Sequence, residues 1–373
     1  MIYLDYAAHT PTDSEVLKTF CEINQDYIGN PNANHSAGHK ANEKMDKITG
    51  SIAKLLGVQS GEIIYTSGAS ESNNLAIKGF ARSNRHVGRH IISTCLEHSS
   101  VSGALSALQE QGYEIELVDI RRDGTIDLEH LRELLRNDTV LVSVCAVDSE
   151  LGVRQPIAEI SEILCEYPNC CFHVDATQAI GKIPVSFDGV DSMSFSPHKF
   201  YGLVGCGILV KREGLVLEPL IHGGKSTTIY RSGTPAVALA ASIEKALDTA
   251  ICTMDERLGQ VQKMSDYLKA RLLKYPCVRI NSTAKSIPYI LNLSVKGSNA
   301  TTFQQALDAH GVCVSTKSAC SVPSTPSRAV FAVSHDKKNA LASWRISLSH
   351  LTTENELSEF LQIFDLCYRE LTK

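Results

Sequence analysis

Cys171-Phe172-His173-Val174-Asp175-Ala176-Thr177-Gln178 reads as a short, mostly apolar strand that ends in an acid and gives way to small and polar residues. A strand of that kind lies inside a sheet covered on both faces, so Asp175 at its end is expected to be well buried. A buried carboxylate needs a partner. Two are open to it. A helix starting in Thr177-Gln178-Ala179-Ile180-Gly181-Lys182 would offer free N–H groups and make Asp175 its cap. A protonated ring nitrogen of a bound cofactor would pair with the charge instead.

Six further segments on either side repeat the strand pattern: EIIYTS (62–67), HIISTC (90–95), EIELVD (114–119), TVLVSVCAV (139–147), SMSFS (192–196) and CGILVK (206–211). Amphipathic stretches such as ESNNLAIKGFARS (71–83) and LEHLRELLR (128–136) lie between them. Alternation of this kind predicts an α/β fold with a mainly parallel sheet flanked by helices. Ligands in such folds bind outside the carboxyl ends of the strands, which is where Asp175 sits. After Pro235, residues 236–275 read as one long helical stretch that could join two domains. SIPYILNLSV (286–295), GVCVS (311–315) and SWRISLS (343–349) read as strands, and residues 352–371 as a closing helix, a small α+β set.

A length of 373 residues exceeds what one hydrophobic core usually serves, so a large domain and a smaller one are expected. The net charge of −5 carries no footprint of nucleic-acid or membrane-surface binding. No apolar run approaches the roughly 20 residues that span a bilayer. The opening MIYLDYAAHTPTDSEV lacks the basic region and apolar core of a signal peptide, so a cytoplasmic location is expected. The 12 cysteines include no CxxC pair, which argues against zinc ribbons, and no metal site is expected. Most of them lie in apolar runs and should be small core residues.

Three more stretches could carry chemistry. In Tyr65-Thr66-Ser67-Gly68-Ala69-Ser70-Glu71-Ser72-Asn73-Asn74 a strand ends and a helix starts, giving either an anion site on free N–H groups or a plain helix cap. Ser194-Phe195-Ser196-Pro197-His198-Lys199-Phe200-Tyr201-Gly202 places a lysine just past a strand, suited to a Schiff base if desolvation lowers its pKa. Ser315-Thr316-Lys317-Ser318-Ala319-Cys320-Ser321 and the prolines after it read as a loop, in which Cys320 is expected to be accessible and Lys317 could favour its thiolate.

In this order, these elements resemble the cysteine desulfurases of the class V aminotransferase family, fold type I enzymes dependent on pyridoxal 5'-phosphate (PLP). The resemblance runs from YLDYAA through GNPNANHSAG, TSGASESNN, EHSSV, HVDATQAIGK, SFSPHKFYG, RSGTP and SAC to RISLS. It implies a seven-stranded sheet in a large PLP-binding domain, residues 12–248. Residues 1–11 and 249–373 would form the small domain with the cysteine loop. Lys199 would form the Schiff base, Asp175 pair with the ring nitrogen, His98 stack on the ring and Gln178 bond its hydroxyl. Ser149 falls in the same cofactor set. Ala69, Ser70, Ser196 and His198 would hold the phosphate, and Thr234 would reach the phosphate of the other subunit of a homodimer. Arg345 would clamp the substrate carboxylate, with Asn30 and His35 near the substrate. Cys320 would take sulfur from L-cysteine as a persulfide and pass it to an acceptor protein. The long loop is that of the branch serving iron–sulfur cluster assembly and tRNA thiolation.

The chain departs from that pattern in four places. Asp148-Ser149-Glu150-Leu151-Gly152 replaces the usual Asn-Asn-Glu-(Ile/Val)-Gly, and residues 223–234 lack a Gln-Glu pair. His9 takes the place of a common threonine, and Lys317 that of a loop glycine. These changes leave two competing readings: a PLP lyase or transaminase of the same fold acting on another amino acid, and a catalytically weak scaffold that binds an acceptor.

Overall fold

The computed structural model describes residues 1–224, 226–317 and 325–372. The chain opens with strand β1 (Ile2–Tyr3) and helices α1 (Ser14–Asp26) and α2 (Ser36–Leu56). Strands and helices then alternate as β2 (Ile63–Thr66), α3 (Ala69–Ser83), β3 (His90–Thr94), α4 (Ser99–Gln109), β4 (Glu114–Val118) and α5 (Leu128–Leu134). They continue as β5 (Thr139–Cys145), α6 (Ile157–Leu164), β6 (Cys171–Asp175), β7 (Ser192–Phe195) and β8 (Gly207–Lys211). Strands β2 to β8 form one seven-stranded sheet in the order β2-β8-β7-β6-β5-β3-β4. All are parallel except β8, which is antiparallel to both neighbours. Each of the seven segments read as strands from the sequence lies in this sheet. Every residue of β5 and β6 is buried, which explains why their sequences run apolar without alternation.

Residues 236–275 are not one helix. They form α7 (Val237–Cys252), packed on α1 and α2, and α8 (Met254–Leu272), interrupted at Thr253. The Thr253 hydroxyl donates to the Thr249 carbonyl at 2.7 Å, a local bond that competes with helical continuation.

A second sheet is antiparallel, with β10 (Ile290–Val295) between β9 (Val278–Ile280) and β12 (Ser343–Ser347). Helix α9 (Ala300–Ala309) precedes β11 (Val312–Cys313), which pairs in parallel with β1. Helices α10 (Arg328–Ser334), α11 (Lys337–Leu341) and α12 (Glu354–Leu371) complete the chain. Trp344 stacks on Phe303 with centroids 5.4 Å apart, and Phe364 of α12 packs against both. The N-terminal segment is fastened to this sheet, since Ser347 donates its N–H to the Leu4 carbonyl at 2.7 Å. That bond carries residues 5–8 across to the carboxyl edge of the large sheet.

Among the described residues no helix is long and apolar enough to cross a membrane. None of their His, Cys, Asp and Glu side chains gather in a group of three that could hold a metal. Cys145, Cys170, Cys171, Cys206 and Cys367 are buried, whereas Cys21, Cys165 and Cys252 are exposed. The cysteines are therefore less uniformly core residues than their apolar surroundings suggest.

Candidate active site

The carboxyl ends of β2, β3, β5, β6 and β7 open onto a cavity of about 360 Å³. Asp175 forms part of its floor and is 5% exposed. Its Oδ1 accepts from the Thr177 N–H at 3.0 Å and its Oδ2 from the Asn73 amide at 2.8 Å. The first bond is a local turn contact rather than a helix cap, because residues 177–182 form turns. Asn73, on α3, also donates to Ser100 Oγ at 2.9 Å and accepts from His173 Nε2 at 3.0 Å and from the Ser194 hydroxyl. Burial pushes the His173 pKa down to about 4, so the ring is neutral. Its Nδ1 then accepts from Ser192 Oγ at 2.8 Å. The carboxylate at the floor is thus held by neutral donors and has no cationic partner of its own among the described residues.

Lys199 ends a single 3₁₀ turn after β7, and its Nζ donates to the carbonyls of Ala7 (3.0 Å) and Ala8 (2.6 Å). Ser196, at the start of that turn, accepts from the Ala69 N–H at 2.6 Å. Gly68 precedes α3 with φ +153°, and a Cβ on Gly207 would lie 2.6 Å from its Cα. Only glycine permits this backbone approach, which aims the first N–H groups of α3 into the cavity beside Ser70. His198 Nδ1 is buried without a partner. Burial, with Lys199, His9 and Lys182 adding to it, pushes His198 down to about 4.

His98 caps α4, its Nδ1 accepting from the Ser100 N–H at 3.1 Å. Burial lowers its pKa, and Lys199 reinforces that against the opposing pull of Asp175. The Gln178 amide donates to the Ala7 carbonyl at 2.9 Å and accepts from Lys182 at 2.6 Å. Arg345 is buried on β12; it donates to Asp5 Oδ1 at 2.8 Å and to the Ser149 carbonyl at 2.6 Å, and its Nε is unpartnered.

Ten sequence-assigned residues line this one cavity: Ala69, Ser70, His98, Ser149, Asp175, Gln178, Ser196, His198, Lys199 and Arg345. Three others do not. Thr234 lies in a neighbouring hollow that shares Ser67 and Gly205 with the cavity. Asn30 accepts from the Asn32 N–H, and His35 caps α2, both outside the cavity lining. Cys320 lies outside the described residues. Lys317, just before it, donates to Thr325 in an outer cavity that shares Leu96, His98 and Ser149 with the inner one.

The sequence reading overlooked several side chains. Asn73 was part of a quoted motif without a role, although an amide one helical turn past a glycine-rich turn faces the same strand ends. Asp5 pairs Arg345, and Arg231 pairs Glu71 at 2.9 Å, both through chain crossings that sequence spacing does not reveal. Glu97 was hidden beside His98. Its Oε1 accepts from Thr94 Oγ1 (2.8 Å) and the Cys145 N–H (3.0 Å), its Oε2 has no partner, and burial raises its pKa to about 8.

The residues fit PLP: the start of α3 with Ser70, Ser196 and the His198 nitrogen would meet its anionic end, and the Asp175 carboxylate, bonded to neutral donors and in no ion pair among the described residues, would balance a protonated ring nitrogen. Comparison with known proteins agrees. The chain is 37% identical over 375 residues, covering 99% of itself and 95% of the relative, to a protein named cysteine desulfurase IscS from Dictyoglomus turgidum. A solved structure described as a NifS-like protein superposes with a TM-score of 0.92 at 34% identity, over 98% of both chains. Another, described as SspA in complex with cysteine, gives 0.82 at 30% identity, over 95% of this chain and 100% of that one. With a family model that matches residues 2–360, this places the chain in the class V aminotransferase family.

Proposed function

We propose that the chain is a PLP-dependent cysteine desulfurase that converts L-cysteine to L-alanine and loads the sulfur onto Cys320 for transfer to an acceptor protein. The observation that carries this reading is the convergence of Lys199, Asp175, the Ser196–Ala69 cradle and Arg345 on one cavity. The relatives' names, and the cysteine held by a neighbour of the same fold, support the substrate.

When bound, PLP withdraws electrons from the bond to the substrate's Cα hydrogen. The protein's groups do the rest. Asp175 balances the ring-nitrogen charge, while the Ala69 N–H, Ser70, Ser196 and His198 hold the phosphate, joined by Thr234 of the second copy in a homodimer. Lys199 holds the cofactor and moves protons, and neutral His98 serves as a stacking surface and proton acceptor. Arg345 swings part of its guanidinium from Asp5 or Ser149 to the substrate carboxylate, near Asn30 and His35. The Cys320 thiolate attacks the substrate sulfur: an S–S bond forms, the C–S bond breaks with its electron pair going to carbon, and protonation completes alanine. Residues 12–248 act as the cofactor domain and the remainder as the domain carrying Cys320, in the cytoplasm.

The test is alanine and sulfide release from L-cysteine under a thiol reductant, beside Cys320→Ser. Equal yields from the wild type and none from the variant support the reading. Unchanged alanine from the variant overturns the role of Cys320. A protein coloured by PLP that makes neither product belongs instead with the lyases or transaminases acting on other amino acids.

A further inference from the structure

Lys182 is a buried amine that the chemistry above does not use. It is 6% exposed, and among the described residues it enters no ion pair within 4 Å. Its Nζ donates to Gln178 Oε1 at 2.6 Å; Gln178 Nε2 donates to the Ala7 carbonyl at 2.9 Å; and that same carbonyl accepts from Lys199 Nζ at 3.0 Å. A hydrogen-bonded path therefore runs between the two lysines through one amide and one carbonyl.

The path settles an ambiguity. A glutamine amide can turn either end toward a ligand, but protonated Lys182 only donates, so in that state it fixes Oε1 on its own side. Gln178 then has one N–H on Ala7 and a second left for the cavity that it lines. An oxygen of a bound group would meet a donor there and not another acceptor.

The same placement sets a charge beside Lys199. The small hollow that holds Lys182 is lined by Lys199, Arg257 from α8 and His350 from the segment after β12. Arg345 also acts on Lys182, and burial keeps His350 down at about 4. Three phenols complete the titratable surroundings, Tyr6, Tyr201 and Tyr289, each pushed upward by burial and so uncharged. Among the described residues no carboxylate lines the hollow. Burial, aided by Lys199 and Arg345, brings Lys182 itself down to about 7.

Resting on the cofactor reading above, we propose that Lys182 is a positioning residue of the PLP site: it orients the Gln178 amide and places a second amine beside Lys199. It touches neither substrate nor reacting atoms.

The experiment is an absorbance titration of the PLP-loaded protein against pH, without substrate, for wild type, Lys182→Met, Lys182→Gln and Lys182→Arg. The long-wavelength band of PLP joined to Lys199 reports the proton on that nitrogen. Lys182 carries its positive charge below about pH 7; in that range its removal lets the nitrogen keep its proton longer, so Lys182→Met moves the midpoint up, by up to about one pH unit. Lys182→Arg keeps a donor and a charge, and holds the midpoint at or below that of wild type. Lys182→Gln supplies a neutral substitute should the methionine variant fail to load, and is expected to rise likewise. A midpoint unchanged from wild type in the neutral variants overturns the proposal. A wild type with no such band overturns the cofactor reading instead, so the two failures are distinct.

Discussion

At the floor of the cavity Asp175 is bonded to Asn73, Asn73 to His173, Ser100 and Ser194, and His173 to Ser192, all from strands and helices of the large sheet. Outside its lining stands a second set, the rim: Thr234 is exposed in the neighbouring hollow, and the contacts of Asn30 and His35 among the described residues are turn and cap bonds with near neighbours. The floor is complete within one chain. The rim holds the side chains that the proposed function gives to a second copy or to a bound substrate. Pre-organisation therefore differs between the two: the floor is a buried hydrogen-bonded network in which burial keeps His173 neutral, and the rim is tied down by local bonds alone among the described residues.

The largest effect should come from removing the floor charge. Asp175→Ala leaves a protonated ring nitrogen without its counter-charge, a loss of about 3–5 kcal/mol for a broken buried pair, or on the order of 10²–10⁴-fold in kcat/KM for L-cysteine. Less than a tenfold loss would show that the floor is scaffolding and that the ring nitrogen is balanced elsewhere.

Glu97 sharpens the same contrast through stability. Its folded pKa, about 8, lies above the ordinary value of 4.5, so the folded state keeps a proton that the unfolded chain releases. The stability linked to that proton is fully present below about pH 4.5 and is lost as pH rises through 8. Glu97→Gln keeps the oxygen that accepts from Thr94 and Cys145 and removes the titration. Urea unfolding of both proteins at pH 5 and pH 9 should therefore show the variant gaining on wild type by on the order of 3 kcal/mol at the higher pH. Parallel curves would mean that Glu97 titrates normally and is better hydrated than its unpartnered Oε2 implies.

What the sequence revealed follows the same division. Asp175, Lys199, Ser196 and Ala69 each lie within a few residues of a strand end, and strand ends are written in local hydrophobic pattern, so their meeting at one edge could be anticipated from topology alone. Asp5 on Arg345, and Gln178 and Lys199 on Ala7, depend on the N-terminal segment crossing to β12 and back over the large sheet, a tertiary route that no local period encodes. The helix break at Thr253 is hidden for the opposite reason: helix propensity runs straight through it, and the break is a single residue beside which backbone i→i−4 bonds continue.

Thr234 offers the most direct way to break the comparison, although its effect is the smallest. One hydrogen bond to an anionic group contributes about 1–2 kcal/mol, so Thr234→Ala should weaken PLP binding by roughly 5- to 30-fold while leaving the floor intact. The informative measurement is on mixed dimers of Thr234→Ala with Lys199→Ala. If Thr234 serves the partner's site, the site that retains Lys199 faces the intact Thr234 of the other protomer, and PLP binds it with wild-type affinity. If Thr234 serves its own chain, every site that keeps Lys199 lacks the threonine, and all binding stays weak. The second result would place Thr234 with the floor, reached by a movement of residues 226–234 within one protomer, and the rim would then need no second copy to complete it.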